Sequence, residues 1–144
     1  MRPIYLEMSA FGPYDKTQSI DFTKFDDTNL FLIAGDTGSG KTSIFDAITF
    51  ALFAQASGDT RENNSVRSDF ADFDTPTYVY LEFSQRGEIY KIRRNPEYDR
   101  PSKRDDGSFT KQLSGVELTL PDNNQIVKIS DANAAIEEII GMNY

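Results

Sequence analysis

Eight consecutive residues carry the clearest chemistry in this chain: Gly35-Asp36-Thr37-Gly38-Ser39-Gly40-Lys41-Thr42, a gapless match to G-x-x-x-x-G-K-[ST]. Glycines at this spacing let successive backbone N–H groups turn inward and form a cradle for phosphate oxygens. A helix opening at the end of the loop adds unpaired N–H groups and the positive end of its dipole. Lys41 is expected to reach the β- and γ-phosphates as a point charge and to assist charge stabilisation there. Thr42 is expected to offer its hydroxyl to Mg²⁺, and Ser43 to bond an α-phosphate. From average residue frequencies, a chain of this length meets the pattern by chance roughly 0.5% of the time. The residues therefore predict nucleotide binding, with ATP and Mg²⁺ as the expected cofactors.

Such a loop has to be held between a strand and a helix, and the flanking sequence supplies both. Asn29–Ala34 is almost wholly apolar through Leu30, Phe31, Leu32 and Ile33, the pattern of a strand covered on both faces. From Lys41 to about Gln55, Ile44, Phe45, Ile48, Phe50, Leu52 and Phe53 surround most of a helix, which predicts burial on several sides, between two sheets. Upstream, short strands are expected at Ile4–Phe11 and Gln18–Phe22, separated by the Gly12-Pro13 turn. Downstream, Ala56–Thr75 reads as a long polar loop. Thr77–Phe83 and Ile89–Arg94 read as a hairpin closed near Arg86-Gly87, and Val116–Leu120 with Gln125–Ile129 as another. Asn95–Lys111, with Pro96, Pro101 and Asp106-Gly107, reads as a mobile segment, and a final helix is expected from Asp131 to about Gly141, capped by Ser130 or Asp131. The expected fold is an α/β P-loop NTPase lobe, a mixed core sheet and an antiparallel β-subdomain flanking the phosphate-loop helix. Leu30, Phe31, Ile33, Ile44, Ile48, Leu52, Leu81 and Ile92 are its candidate core.

Composition narrows the remaining chemistry. The 144 residues suit one domain, 38% hydrophobic and 12% aromatic. There is no Cys for disulfides and no His for triads, imidazole bases or the usual metal sets. No apolar run approaches the roughly 18 residues of a membrane span, and the N-terminus lacks signal-peptide anatomy, so the cytoplasm is the expected location and no membrane partner is expected. Net charge is −8, the wrong sign for coating nucleic acid. Arg86–Lys111, however, holds eight of the 15 basic and five of the 23 acidic residues, a local +3 against −11 elsewhere. Within it, Lys91, Arg93, Arg94, Arg100, Lys103 and Arg104 are candidates for touching a phosphate backbone, although charge runs are more often solvated faces.

Other motifs are weaker. Leu113-Ser114-Gly115 resembles the start of an ABC signature, but Val116 stands where a second glycine is needed, so it reads as a structural loop. Asp26-Asp27 and Asp105-Asp106 read as solvated loop charges, and Asp46 as a local cap or pair. The apolar strand ending in Asp that would hold Mg²⁺ and orient water is not found after the helix: Val79-Tyr80-Leu81 meets Glu82 within an alternating pattern, and Leu118-Thr119-Leu120 is broken by Pro121. Half a catalytic site is therefore expected between Met1 and Tyr144: nucleotide binding with little or no hydrolysis.

Together with the phosphate loop, Ala10-Phe11-Gly12-Pro13-Tyr14, Ile20-Asp21-Phe22, Ile44-Phe45-Asp46-Ala47-Ile48, Arg67-Ser68-Asp69-Phe70-Ala71 and Arg93-Arg94-Asn95-Pro96-Glu97-Tyr98 resemble the N-terminus of the bacterial SbcC family. The resemblance runs nearly the whole length. It implies the N-terminal lobe, residues 1–144, of an ABC-type ATPase head of the structural-maintenance-of-chromosomes class. A long coiled coil and a C-terminal lobe with signature motif, Mg²⁺ aspartate and catalytic glutamate would complete that head. It further implies two heads sandwiching two ATP molecules, an SbcD-like phosphoesterase partner carrying the nuclease site, and action on double-stranded DNA ends and hairpins during repair and recombination. Carried over by position, Gly35 to Thr42 form the phosphate loop, residues from Ser57 to Arg67 approach the adenosine, and the family's γ-phosphate-sensing glutamine falls beyond Tyr144. Many members carry an Arg where this chain has Gly12-Pro13.

Other readings are a RecF-like ABC-type repair ATPase, a nucleotide-dependent DNA clamp without a nuclease partner, and a small P-loop kinase or GTPase. The last lacks an Asn-Lys pair followed by Asp, and two hairpins after the helix do not suit a parallel kinase core.

Overall fold

In the computed structural model, residues 1–25, 32–55, 66–102 and 107–141 are described. Six strands form one sheet in the order β2-β1-β3-β4-β7-β8: β1 (Arg2–Ser9), β2 (Gln18–Asp21), β3 (Tyr78–Gln85), β4 (Glu88–Asn95), β7 (Gly115–Thr119) and β8 (Gln125–Ile126). A separate two-stranded ribbon pairs β5 (Tyr98–Pro101) with β6 (Phe109–Gln112). The helices are α1 (Lys41–Phe53) and α2 (Ile129–Ile140). Every pairing among the described residues is antiparallel. The strand that a mixed sheet needs, expected at Asn29–Ala34, lies half outside the described residues.

Register explains the core. Ile20, Leu6, Leu81, Ile92, Leu118 and Ile126 stand opposite one another in a row across all six strands. Because side chains alternate between faces, the next residue on each strand points the other way. The inner face therefore carries Leu6, Met8, Val79, Leu81, Phe83, Ile92, Val116 and Leu118, all buried, under α1 and α2. The outer face carries Tyr5, Glu7, Tyr78, Tyr80, Glu82, Lys91 and Arg93, which satisfy one another. Tyr5 and Tyr78 hydroxyls donate to the Glu7 carboxylate at 3.1 and 2.7 Å, and Tyr80 donates to Glu82. Burial and the neighbouring carboxylates push the Tyr78 and Tyr80 phenols up, keeping them donors.

Several expectations are corrected. Leu32–Ala34 is not a strand and Leu32 is 89% exposed; Leu30 and Phe31 lie outside the described residues, and Ile33 is half-buried. Among the described residues, helix α1 is covered by one sheet rather than two: it packs on β3, β4 and α2, while Phe45 is 53% exposed and Ile44 and Ile48 are partly buried. Leu52, Leu81 and Ile92 are core as expected. Within and just beyond the segment read as mobile, Tyr98–Pro101 pairs with Phe109–Gln112 as the β5–β6 ribbon, and residues 103–106 lie outside the described residues. Helix α2 starts two residues early, at Ile129, with Lys128 as N-cap and no side-chain cap bond. The Arg86-Gly87 turn has both residues at positive φ, 53° and 85°, matching the right-handed strand twist of a two-residue hairpin.

Candidate phosphate-binding loop

Residues Gly35–Ser39 are exposed, Gly40 and Lys41 half-buried, Thr42 exposed and Ser43 buried, so the glycine turn of the motif lies open. The Ser39 N–H donates to the Asp36 carbonyl at 3.2 Å, turning the chain inside the loop. Lys41 folds back across it: its Nζ donates to the carbonyls of Gly35 at 2.7 Å and Asp36 at 2.6 Å, with Ser39 Oγ at 3.5 Å. An ammonium has three donors and two are used well. The charge is thereby held over the loop with capacity for a further acceptor.

The helix start is more covered than the loop, with Thr42 its exposed residue. Gly40, the N-cap of α1, sits at φ 86° and, having no side chain, makes no capping bond to the first turn. No acidic residue lies in the first turn, so the turn itself adds no charge against the positive end of the dipole. Helix α2 differs, with Asp131 in its first turn paired to Lys128 at 3.0 Å. The Thr42 hydroxyl stands exposed on the first turn. One hydroxyl fits Mg²⁺, which keeps waters and takes its remaining oxygens from phosphate. Among the described residues there is no cluster of three or more Asp or Glu that could hold a metal without phosphate. Ser43, 8% exposed, faces the turn after β1: a Cβ on Gly12 would stand 3.2 Å from its Oγ.

The candidates outside the loop separate differently. Arg94 is not a surface cation. Register puts it on the inner face in the row Met8, Val79, Arg94, Val116, and it is 3% exposed. Its guanidinium donates to the α1 carbonyls Ala51 (3.0 Å) and Leu52 (3.4 Å) and to Asn133 Oδ1 of α2 (2.9 Å). It thus satisfies two carbonyls of the last α1 turn, and burial pulls it down to about 10, still charged at neutral pH. Arg93 lies 4.0 Å over the Tyr78 ring, and Lys91 approaches Glu82 at 3.7 Å. Arg100 bonds Gln112 at 3.2 Å; Lys103, Arg104 and Asp105-Asp106 lie outside the described residues, as do Asp26-Asp27.

Of the expected adenosine segment Ser57–Arg67, all but Val66 and Arg67 lies outside the described residues. Arg67 turns elsewhere, donating to Thr75 O (2.8 Å), Asp72 O (2.9 Å) and the Thr77 hydroxyl, 4.8 Å over Tyr98. It pins the loop before β3 to the β5–β6 ribbon. Leu113 and Ser114 form the link between β6 and β7, where Asn95 Nδ2 donates to the Leu113 carbonyl at 2.8 Å. Sequence reasoning missed Tyr14, whose hydroxyl donates to the Gly40 carbonyl at 3.1 Å.

A sheet covered by the helix that follows a glycine-rich loop defines an α/β P-loop NTPase. The AAA domain profile matches residues 5–143, and the chain belongs to that family, for which nucleotide binding is the shared property. The chain is similar to the SbcC subunit of nuclease SbcCD from Vibrio cholerae, 39% identical over 145 residues, covering 99% of this chain and 14% of the relative. The Lactococcus lactis protein of the same name is 44% identical over 136 residues (94% and 12%). That of Staphylococcus aureus strain MRSA252 is 51% identical over 98 residues (68% and 10%). The chain thus spans between 10% and 14% of the length of these relatives. Among the described residues, no helix is long and apolar enough to cross a membrane.

Proposed function

We propose that this chain is the phosphate-gripping N-terminal lobe of an ABC-type ATPase head, one domain over residues 1–144, binding ATP with Mg²⁺ at Gly35–Ser43. The observation that carries the reading is the conjunction at α1: a helix start with no side-chain cap and no first-turn acid, beneath a lysine ammonium anchored on the Gly35 and Asp36 carbonyls. Both arrangements lower in energy when an anion arrives. Thr42 would hold the metal, which supplies charge neutralisation between phosphate oxygens. The exposed Phe45 flank of α1 suits coverage by a second lobe.

The similarity to the SbcC subunits of SbcCD nucleases supports the wider role. The full protein would be the ATPase subunit of an SbcCD-like complex, using ATP to regulate an SbcD-like nuclease on double-stranded DNA ends and hairpins, with two heads closing over ATP. The chain itself would bind ATP and turn over little, since the Mg²⁺ aspartate and catalytic glutamate would come from the second lobe. Turnover by the chain alone is expected at buffer background and unchanged by Lys41→Ala. Turnover that Lys41→Ala abolishes would contradict the half-site reading. In a full-length protein paired with its nuclease subunit, the same substitution is expected to remove ATP-dependent DNA cleavage.

A further inference from the structure

The turn after β1 is packed into the phosphate loop. It is closed on itself by Tyr14 N–H to the Phe11 carbonyl at 3.0 Å and tied to the chain before Arg67 by Gly12 N–H to the Val66 carbonyl at 2.8 Å. From this turn the Tyr14 hydroxyl spans 26 residues to the Gly40 carbonyl. The approach is close: a Cβ on Gly40 would stand 2.6 Å from the Tyr14 hydroxyl oxygen and 3.0 Å from Pro13 Cγ. Gly40 is the last residue of the loop and the N-cap of α1.

The peptide after Gly40 is trans, as are all the described peptides, so its carbonyl and the Lys41 N–H point in opposite directions. With the Gly40 carbonyl bonded to the Ser43 N–H and the Tyr14 hydroxyl, the Lys41 N–H is directed away from the helix body. A glycine at φ 86° has many other conformations available to it. The Gly40 carbonyl accepts from the Ser43 N–H at 3.0 Å within the first turn of α1. The Tyr14 hydroxyl adds a second restraint from outside the helix, which leaves less ordering to oppose ligand binding. We propose that Tyr14 is a positioning residue for polyphosphate: its hydroxyl, acting with the Ser43 N–H, holds the Gly40–Lys41 peptide so that the Lys41 N–H is preset toward a phosphate oxygen. This rests on the phosphate-loop reading above. Burial raises the Tyr14 phenol above its ordinary value, so the group remains a donor through neutral and mildly alkaline pH.

The test compares the chain with Tyr14→Phe, Pro13→Ala and Lys41→Ala, titrated with Mg·ATP and with inorganic tripolyphosphate well below every melting temperature. Tyr14→Phe removes one oxygen from a half-buried ring and keeps the packing. It is expected to bind both probes about fivefold more weakly, the loss of one hydrogen bond, with its melting temperature close to the parent's. Equal loss with tripolyphosphate places the effect at phosphate rather than at a base. Pro13→Ala keeps the hydroxyl and is expected within about twofold of the parent. Parental affinity in Tyr14→Phe, or an equal loss in Pro13→Ala, overturns the proposal. If Lys41→Ala binds like the parent, the phosphate-loop reading itself falls; if Lys41→Ala is weakened and Tyr14→Phe is not, only the role of Tyr14 falls.

Discussion

Two regions of this molecule present cations, and they treat them in opposite ways. At the phosphate loop, Lys41 is held by backbone carbonyls, which fix its position without cancelling its charge, above a helix start that carries no acid. Along β4 to β6, the described cations are more numerous but committed. Arg94 closes the end of α1, Arg93 covers Tyr78, Lys91 meets Glu82 and Lys111 meets Glu97 at 2.7 Å. A count of charges favours the second region for a polyanion; the partners favour the first. Neutral dipoles leave a cation available, whereas carboxylates, ring faces and helix carbonyls inside the fold spend it on stability.

Substitutions can break this contrast. The largest effect is expected from Lys41→Ala: about 100-fold weaker Mg·ATP binding from loss of its charge-assisted bonds, with little change in melting temperature, as titration and thermal unfolding would show. Arg94→Ala should behave in reverse, costing about 3 kcal/mol of stability by denaturant unfolding, because two α1 carbonyls and Asn133 lose their partner. Its ATP affinity, measured where it remains folded, should stay near the parent's. Arg93→Ala should cost only about 0.5–1 kcal/mol, the worth of an exposed cation over a ring. Lys91→Ala should cost about 0.5 kcal/mol or less, since its ion pair with Glu82 is solvent-screened. Loss of ATP binding in the β4 variants, or of stability in Lys41→Ala, would invert the comparison.

What the sequence made legible follows the same division. The phosphate loop could be read because its chemistry is local: spacing alone sets the turn, the helix start and the lysine. Strands β3 and β4 could be read because alternation marks a face, and that signal also reached Arg94, which lies two residues from Ile92 and therefore on its side of the sheet. The charge count obscured it. The β5–β6 ribbon was hidden because its polar residues alternate with polar residues, leaving no period-2 pattern, and its prolines resemble loop punctuation. Early entry into α2 went unread because Lys128 takes an extended N-cap conformation without a capping side chain. Tyr14 and Arg67 act across distances that no local pattern encodes, one reaching Gly40 and the other gathering Asp72, Thr75 and Thr77 beneath Tyr98.

The most direct measurement is a backbone amide NMR titration of the isotope-labelled chain with Mg·ATP, following every assigned residue at once. The account predicts that the largest shifts fall on Gly35–Ser43, with smaller ones at Tyr14, while Lys91 and Arg93 on the outer face of β4 stay put. Shifts centred on β4 and the β5–β6 ribbon, with the glycine loop unmoved, would contradict it.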